Sequence, residues 1–211
     1  MTLLAGRYEL LHPVWRDPLG TTFVARDRTG WPISVRLLPA ALTADPAVRS
    51  RFRKDGPLLL SLRHKSLAPV RDLVATETQL AIAADAVDGV TLRRRLREGR
   101  LPRAEAEEIE AAVAAGLATL HESGVTHGLI GPASVVLPRR GGARLTDVAV
   151  ARLVADSATG RALLHATAAC SSHGDRPAYR ALLRDLYGGM GVLRGLGLQS
   201  PVRLRVAARA V

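Results

Sequence analysis

Residues 116–153 read GLATLHESGVTHGLIGPASVVLPRRGGARLTDVAVARL, and the fold turns on how this stretch divides. Its opening closes a helix. The apolar positions Ala106, Ile109, Val113, Leu117 and Leu120 recur every three or four residues, the spacing of one helical face. Pro102 opens that run, and Glu105, Glu107, Glu108 and Glu110 weight its N-terminal part, where the helix dipole favours carboxylates. Ser123-Gly124 ends it. Beyond a loop through His127-Gly128-Leu129 lie two short apolar segments, Ser134 to Leu137 and Ala143 to Thr146. They are parted by Arg139-Arg140-Gly141-Gly142, a turn-forming sequence. A long helix, a loop and a hairpin thus follow one another.

Upstream the period changes. Arg7 to His12, Thr21 to Asp27, Pro32 to Leu38, Ala68 to Ala75 and Gln79 to Ala84 are short stretches rich in Val, Leu, Ile or Thr, broken by turn signals. They predict a small antiparallel sheet. One helix is inserted, over Asp45 to His64, with Asp45 as cap, Pro46 at its first position and Val48, Phe52, Leu59 and Leu62 at helical spacing. Gly56-Pro57 falls in its middle. An interior proline costs about 3 kcal/mol, so a kink or restart is expected after Asp55.

The chain has 211 residues, 47% of them apolar, enough for one sizeable domain or two small ones packed together. With 23% charged residues and no apolar run near the ~18 residues of a membrane helix, no membrane span and no secretory leader are expected, which places the protein in the cytoplasm. Cys170 is the single cysteine, so neither an internal disulfide nor a paired-cysteine zinc frame is available. The formal charge of +11 would suit an anionic partner. Yet the cations are scattered apart from Arg93-Arg94-Arg95 with Arg97 and the pair Arg139-Arg140, and 3% aromatic residues offer few stacking platforms. Direct nucleic-acid binding is therefore not expected, and the Arg93 to Arg97 run reads as a solvated helix face.

In chain order, GRYEL (6–10), LGTTFVARD (19–27), ISVRLLP (33–39), RFRKD (51–55), SLRHKSLAPV (61–70), DGVTL (88–92), GLATLHESGVTH (116–127), GPASVVL (131–137) and RLTDVAVARL (144–153) make a series. In order and spacing, residues 6 to about 153 resemble a bacterial serine/threonine protein kinase domain of the eukaryotic type. An ordered series is far more specific than any single motif. The resemblance implies an α+β, protein-kinase-like bilobal fold. Residues 1–87 would form an antiparallel-sheet small lobe with one helix, 88–153 the start of a mainly helical large lobe, and 154–211 a divergent or truncated large-lobe tail, partly disordered.

What such a kinase needs for phosphoryl transfer is where this sequence departs from it. The resemblance implies a nucleotide site at Gly20, Arg36, Asp55, Asp85 and Val87, and a metal site at Asp147 and Ser134. Gly20 matches the last glycine of the phosphate-covering loop, but Trp15 and Asp17 stand where the first two would be, with Pro18 beside them. An indole and a carboxylate oppose the close approach of backbone to phosphate that glycine permits. Arg36 replaces the third-strand lysine, a change that is not conservative at a fitted site. Asp55 replaces its partner glutamate with a side chain one methylene shorter, which leaves an Arg36 to Asp55 pair open, the longer arm offsetting the shorter.

In the catalytic loop, His127-Gly128-Leu129 stands for His-Arg-Asp, with His127 matching a structural histidine. The position of the hydroxyl-accepting carboxylate is therefore Leu129, which cannot accept a proton. Gly131 replaces the loop lysine, Ser134 the magnesium-binding Asn, and Asp147-Val148-Ala149 the Asp-Phe-Gly. Asp147 reads either as a retained magnesium ligand or as a turn residue at a strand end. One carboxylate and one hydroxyl make a poor shell for a hard cation, so ATP and Mg are expected to bind weakly. Losing a positioned proton acceptor alone typically costs ~10²–10⁴-fold in rate.

After Asp147 no Ala-Pro-Glu follows. Asp175 with Ala178 to Leu183 and Leu186 to Gly189 loosely resembles the helix at the bottom of the large lobe, and the glycines from Gly188 to Gly197 predict loose order over the last ~30 residues. Of His165, Cys170 and His173, the pair Cys170-x-x-His173 has a usable metal spacing, but without a fourth ligand chance placement is the expectation. Three functional readings stay open. One is a pseudokinase that binds a partner protein, a phosphorylated segment or an unturned nucleotide. Another is an active ATP-dependent serine/threonine kinase using Arg36, Asp55 and Asp147 in a rearranged site. The last is a truncated or frame-altered remnant with exposed apolar surface. Leu129 separates the first from the second.

Overall fold

The computed structural model describes residues 2–167 and 175–187. Strands β1 (Thr2–Leu4), β2 (Tyr8–Asp17), β3 (Gly20–Asp27), β4 (Pro32–Leu37), β5 (Val70–Ala75) and β6 (Leu80–Asp85) form one antiparallel sheet in the order β1-β2-β3-β4-β6-β5. Between β4 and β5 run α1 (Ala40–Thr43) and α2 (Pro46–Ser61). A second, smaller sheet joins β7 (Gly89–Thr91), β8 (Val135–Pro138) and β9 (Arg144–Leu145), with α3 (Leu92–Arg97) and α4 (Arg103–Glu122) between its first two strands. Helices α5 (Val150–Val154), α6 (Ala158–Ala166) and α7 (Asp175–Tyr187) follow. The architecture is α+β and bilobal, a sheet-built small lobe and a helical partial large lobe.

The two-residue period of β6 divides two cores. Ala81 and Ala83 face one side of the sheet with Leu4, Ile33, Val35 and Val74, while Leu80 and Ile82 face the other. That second core is continuous across both lobes. It joins Val48, Phe52 and Leu59 of α2 to Ile109, Val113 and Leu117 of α4, then to Val135, Leu145, Leu153 and Leu182. Burying these side chains, at about 25 cal/mol per Å² of apolar surface, holds the lobes as one body around the cleft between them.

Two expectations need correction. Helix α2 does not restart at Gly56-Pro57 but runs as one helix from Pro46 to Ser61. Pro57 is exposed, as is Arg53 one turn before it, so the carbonyl that loses its partner faces water. The segment that aligns with the phosphate-covering loop is a tight hairpin. Its ladder continues to the pair Asp17 and Gly20, leaving only Pro18 and Leu19 as the turn. Gly20 sits at φ 131°, and a Cβ there would lie 2.1 Å from the Leu37 carbonyl oxygen, so glycine is required by the approach of β4. The loose order expected from about residue 182 also fails as far as Tyr187. Ala178, Leu182 and Leu186 bury one face of α7 in the common core, and that face holds the helix. Cys170, His173 and Gly188 to Gly197 lie outside the described residues. Among the described residues no helix is long and apolar enough to cross a membrane.

Candidate functional site

The cleft between the lobes encloses about 390 Å³. Its walls are aliphatic, with Val14 and Ile82 from the sheet, Val87 from the connection after β6, and Val136 and Val148 from the large lobe. Thr22 also lines it and holds a buried hydroxyl without a hydrogen-bond partner. At the mouth, the Arg93 guanidinium of α3 lies over the Trp15 ring, 4.4 Å from its centroid. Trp15 Nε1 donates to Asp17 at 2.9 Å.

Arg36 forms the floor. Strand β4 points it inward, where it is only 4% exposed. Its Nη1 donates to both carboxylate oxygens of Asp17, at 2.9 and 3.0 Å. Its Nε and Nη2 donate to the two oxygens of Asp147, at 3.0 and 3.2 Å. Burial works against the guanidinium charge, but the carboxylates of Asp147 and Asp17 outweigh it and hold the pKa of Arg36 above its ordinary value. Asp147 itself sits at φ 61°, in the left-handed region, which turns the chain sharply after β9.

The loop between α4 and β8 holds no proton acceptor at its centre. Leu129 is 4% exposed and belongs to the continuous core. His127 is fully buried, its Nε2 against the Thr146 carbonyl oxygen at 2.9 Å, and its Nδ1 accepts from the Leu129 amide at 3.2 Å. Burial is the larger influence on His127 and pushes its pKa down. The Ser134 hydroxyl is turned to Gly131, whose amide and carbonyl it meets at 3.1 Å each. What fixes the loop is Asp175 at the start of α7. Its carboxylate accepts the amides of His127 at 2.8 Å and Gly128 at 2.7 Å, and lies 2.9 Å from His121 Nε2.

Comparison with known proteins agrees with this layout. No protein-family model matches the chain. The serine/threonine-protein kinase PkaA of Streptomyces coelicolor is 35% identical over 173 residues, covering 74% of this chain and 32% of PkaA. The serine/threonine-protein kinase PknB of Mycobacterium leprae is 31% identical over 160 residues, 73% of this chain and 26% of PknB. The crystal structure of the Mycobacterium tuberculosis PknI kinase domain matches with a TM-score of 0.67 at 25% identity, over 85% of this chain and 72% of that domain.

This chain belongs to the bacterial eukaryotic-type serine/threonine protein kinase family. It spans about a quarter to a third of the length of those curated relatives.

Placed on the kinase fold, the expected site residues separate. Arg36 and Asp147 meet in the cleft, and Asp85 and Val87 line it. Gly20 is held against β4 instead, and Asp85 is gripped by Arg71 at 2.5 and 2.7 Å. The Arg36 to Asp55 pair that the sequence left open is not made. Asp55, 4% exposed, accepts from Arg51 Nη1 at 3.0 Å and from Arg152 Nε and Nη2 at 3.1 and 3.3 Å. Helix α2 is engaged by the segment after Asp147, while Arg36 is satisfied by the two nearer carboxylates. Nor does the metal pair assemble, because the Ser134 hydroxyl serves Gly131 and both Asp147 oxygens receive N–H groups. This donor set does not fit a divalent cation, which needs several free oxygens. Among the described residues no group of three or more His, Cys, Asp or Glu is placed to hold a metal ion.

Asp17, Arg152 and Asp175 are the residues that sequence reasoning missed in these roles. Their partners lie 19, 97 and 47 to 54 positions away, beyond any local pattern. Only Asp175 left a local signal, as an acidic residue in the first turn of a helix.

Proposed function

We propose that this kinase-family chain is a pseudokinase module that acts by binding and does not transfer phosphate. Its relatives PkaA and PknB are named as serine/threonine kinases, for which ATP and magnesium are the expected cofactors. The observation that carries the reading is Leu129. It stands where the family places the hydroxyl-accepting carboxylate, and it is packed into the core, so no group at that point can take a proton. The clamp on Arg36 and Asp147 supports the same conclusion. The test is incubation of the purified protein with γ-labelled ATP and magnesium, with a general protein substrate, against a PkaA kinase domain as positive control. Transfer no faster than the buffer blank is expected, and transfer above blank that is lost in Asp147→Asn would make this an active kinase. Binding of a partner protein is the activity this reading leaves for the fold.

A further inference from the structure

Helices α2, α3 and α4 each match an arginine with a carboxylate four positions on: Arg51 with Asp55, Arg94 with Glu98 and Arg103 with Glu107. Helix α7 does the opposite. Arg176, Arg180 and Arg184 follow one another at four-residue spacing, so they stand on successive turns of one face over about 12 Å. All three are exposed, away from the buried row of Ala178, Leu182 and Leu186, and none makes a hydrogen bond or an ion pair among the described residues. The two carboxylates of α7 do not serve them. Asp175 is buried against the His127 and Gly128 amides, and Asp185, one position past Arg184, stands about 100° round the helix. Nor does the remainder of the chain hold a carboxylate side chain for them, because residues 168–174 and 188–211 contain no Asp or Glu. Like charges four apart destabilise an isolated helix, and Arg176 in the first turn opposes the helix dipole. An anionic neighbour reverses both effects.

A second row runs beside the first. Tyr179, Leu183 and Tyr187 are half-buried at the same spacing, three positions on from Arg176, Arg180 and Arg184, and Tyr187 donates to Glu110 at 2.6 Å. Arginine and tyrosine are enriched among the side chains that carry binding energy at protein interfaces, and rows of residues four apart are the ridges that pack into the grooves of another helix. We propose that this outward face of α7 is a docking ridge for an acidic amphipathic helix of a partner protein, one that presents carboxylates at i, i+4 and i+8 beside an apolar row. Each guanidinium fork fits one carboxylate. The half-buried row receives apolar side chains, which a phosphate backbone lacks, and this favours protein over nucleic acid. The inference rests on the reading above in that binding is the activity, and it supplies the chemistry of the partner.

Fluorescence anisotropy of the whole chain tests this with a labelled helix-forming peptide of Glu and Leu, Glu at every fourth position beside a Leu row, against a scrambled peptide of the same composition and a labelled DNA duplex. The ordered peptide is expected to bind about tenfold more tightly than the scrambled one, and Arg180→Glu to weaken it by about tenfold or more. Arg97→Glu, the same change on the exposed face of α3, is expected to leave the affinity in place. Arg180→Glu also puts an opposite charge between Arg176 and Arg184, so its Tm should match wild type or exceed it by up to about 4 °C, which separates lost binding from lost folding. Should that variant not fold, Arg180→Ala decides in its place, with a smaller loss of affinity. Equal binding of ordered and scrambled peptides would overturn the inference, as would an affinity unchanged in Arg180→Glu and in Arg180→Ala. Duplex DNA bound more tightly than the peptide, and released by the same substitutions, would overturn the partner class. Labelled-phosphate transfer on the same sample keeps the two readings apart: transfer above blank with the peptide still held through Arg180 overturns the pseudokinase reading alone, and no transfer with no peptide bound overturns the ridge alone.

Discussion

Arg152 holds Asp55. Nε and Nη2 of the arginine meet the two carboxylate oxygens at 3.1 and 3.3 Å, and Nη1 reaches the Gly124 carbonyl oxygen at 3.0 Å. The contact is one of a series along α2. Asp45 accepts the Ser157 hydroxyl, Arg51 pairs with Asp156, and Asp55 pairs with Arg152, so ascending positions on α2 meet descending positions after Asp147. Asp45 caps α2 while Ser157 caps α6, so the first of these bridges joins two helix N-termini. The segment following Asp147 is therefore strapped to α2 along its length, with Asp55 turned to the strap and away from Arg36.

Arg152→Ala tests the strap. It leaves a nearly buried carboxylate with Arg51 as its remaining cation, and the expected loss is about 1–3 kcal/mol in folding stability. Urea unfolding reads it directly. A midpoint equal to wild type would show that the contact contributes nothing.

Asp175 joins α7 to the loop at His127 and Gly128, and its removal should cost more. Asp175→Ala strands two amides in a buried place, for a loss of about 3–5 kcal/mol. Asp175→Asn keeps one acceptor oxygen, and its unfolding midpoint should fall between those of the alanine variant and wild type. If the two variants unfold alike, and like wild type, the anchoring role is wrong.

The same pair sets a pH dependence. His127 has its pKa lowered, first by burial, against opposing pulls from the Asp175 and Asp147 charges. The folded state thus binds its proton less readily than the unfolded chain. That contribution is complete above the ordinary histidine value of 6.5 and is lost as pH falls below it. Burial raises the Asp175 carboxyl, but the hydrogen bonds from His121, Gly128 and His127 outweigh it and leave the pKa lowered. Its contribution is present above 3.8 and is lost as pH falls below that value. Both signs agree, so stability should decline in two steps on acidification. Urea midpoints from pH 3 to 8 follow this, and His127→Leu should lack the upper step. Persistence of that step in the variant would assign it to another group.

Leu129→Asp restores the residue type of the family's catalytic carboxylate without restoring its surroundings. A carboxylate placed in the continuous core without a partner should destabilise the fold by about 3 kcal/mol or more. Labelled-phosphate transfer should stay at the buffer blank, because Ser134, Arg36 and Asp147 remain tied to their present partners. Transfer rising above blank in this single variant would show that the rest of the site is functional.

Much of this protein is legible from the chain alone. The helix from Pro102 follows from the spacing of Ala106, Ile109, Val113, Leu117 and Leu120, because helical burial imposes a short period that local sequence displays. The sheet follows from short apolar runs between turn signals, and the absence of a carboxylate at Leu129 follows from residue identity. What only the tertiary structure decided is which charge meets which. The sequence offered Asp55 as one partner open to Arg36, with no sign of Asp17 or Asp147 in that role. An ion pair depends on a separation of a few ångströms and carries no period along the chain. The choice was made by the tight β2–β3 hairpin, which brings Asp17 to the floor, and by the turn at Asp147. Arg152, delivered by α5, took Asp55. Periodic burial is written locally, whereas the pairing of buried charges is settled only when the chain has closed on itself.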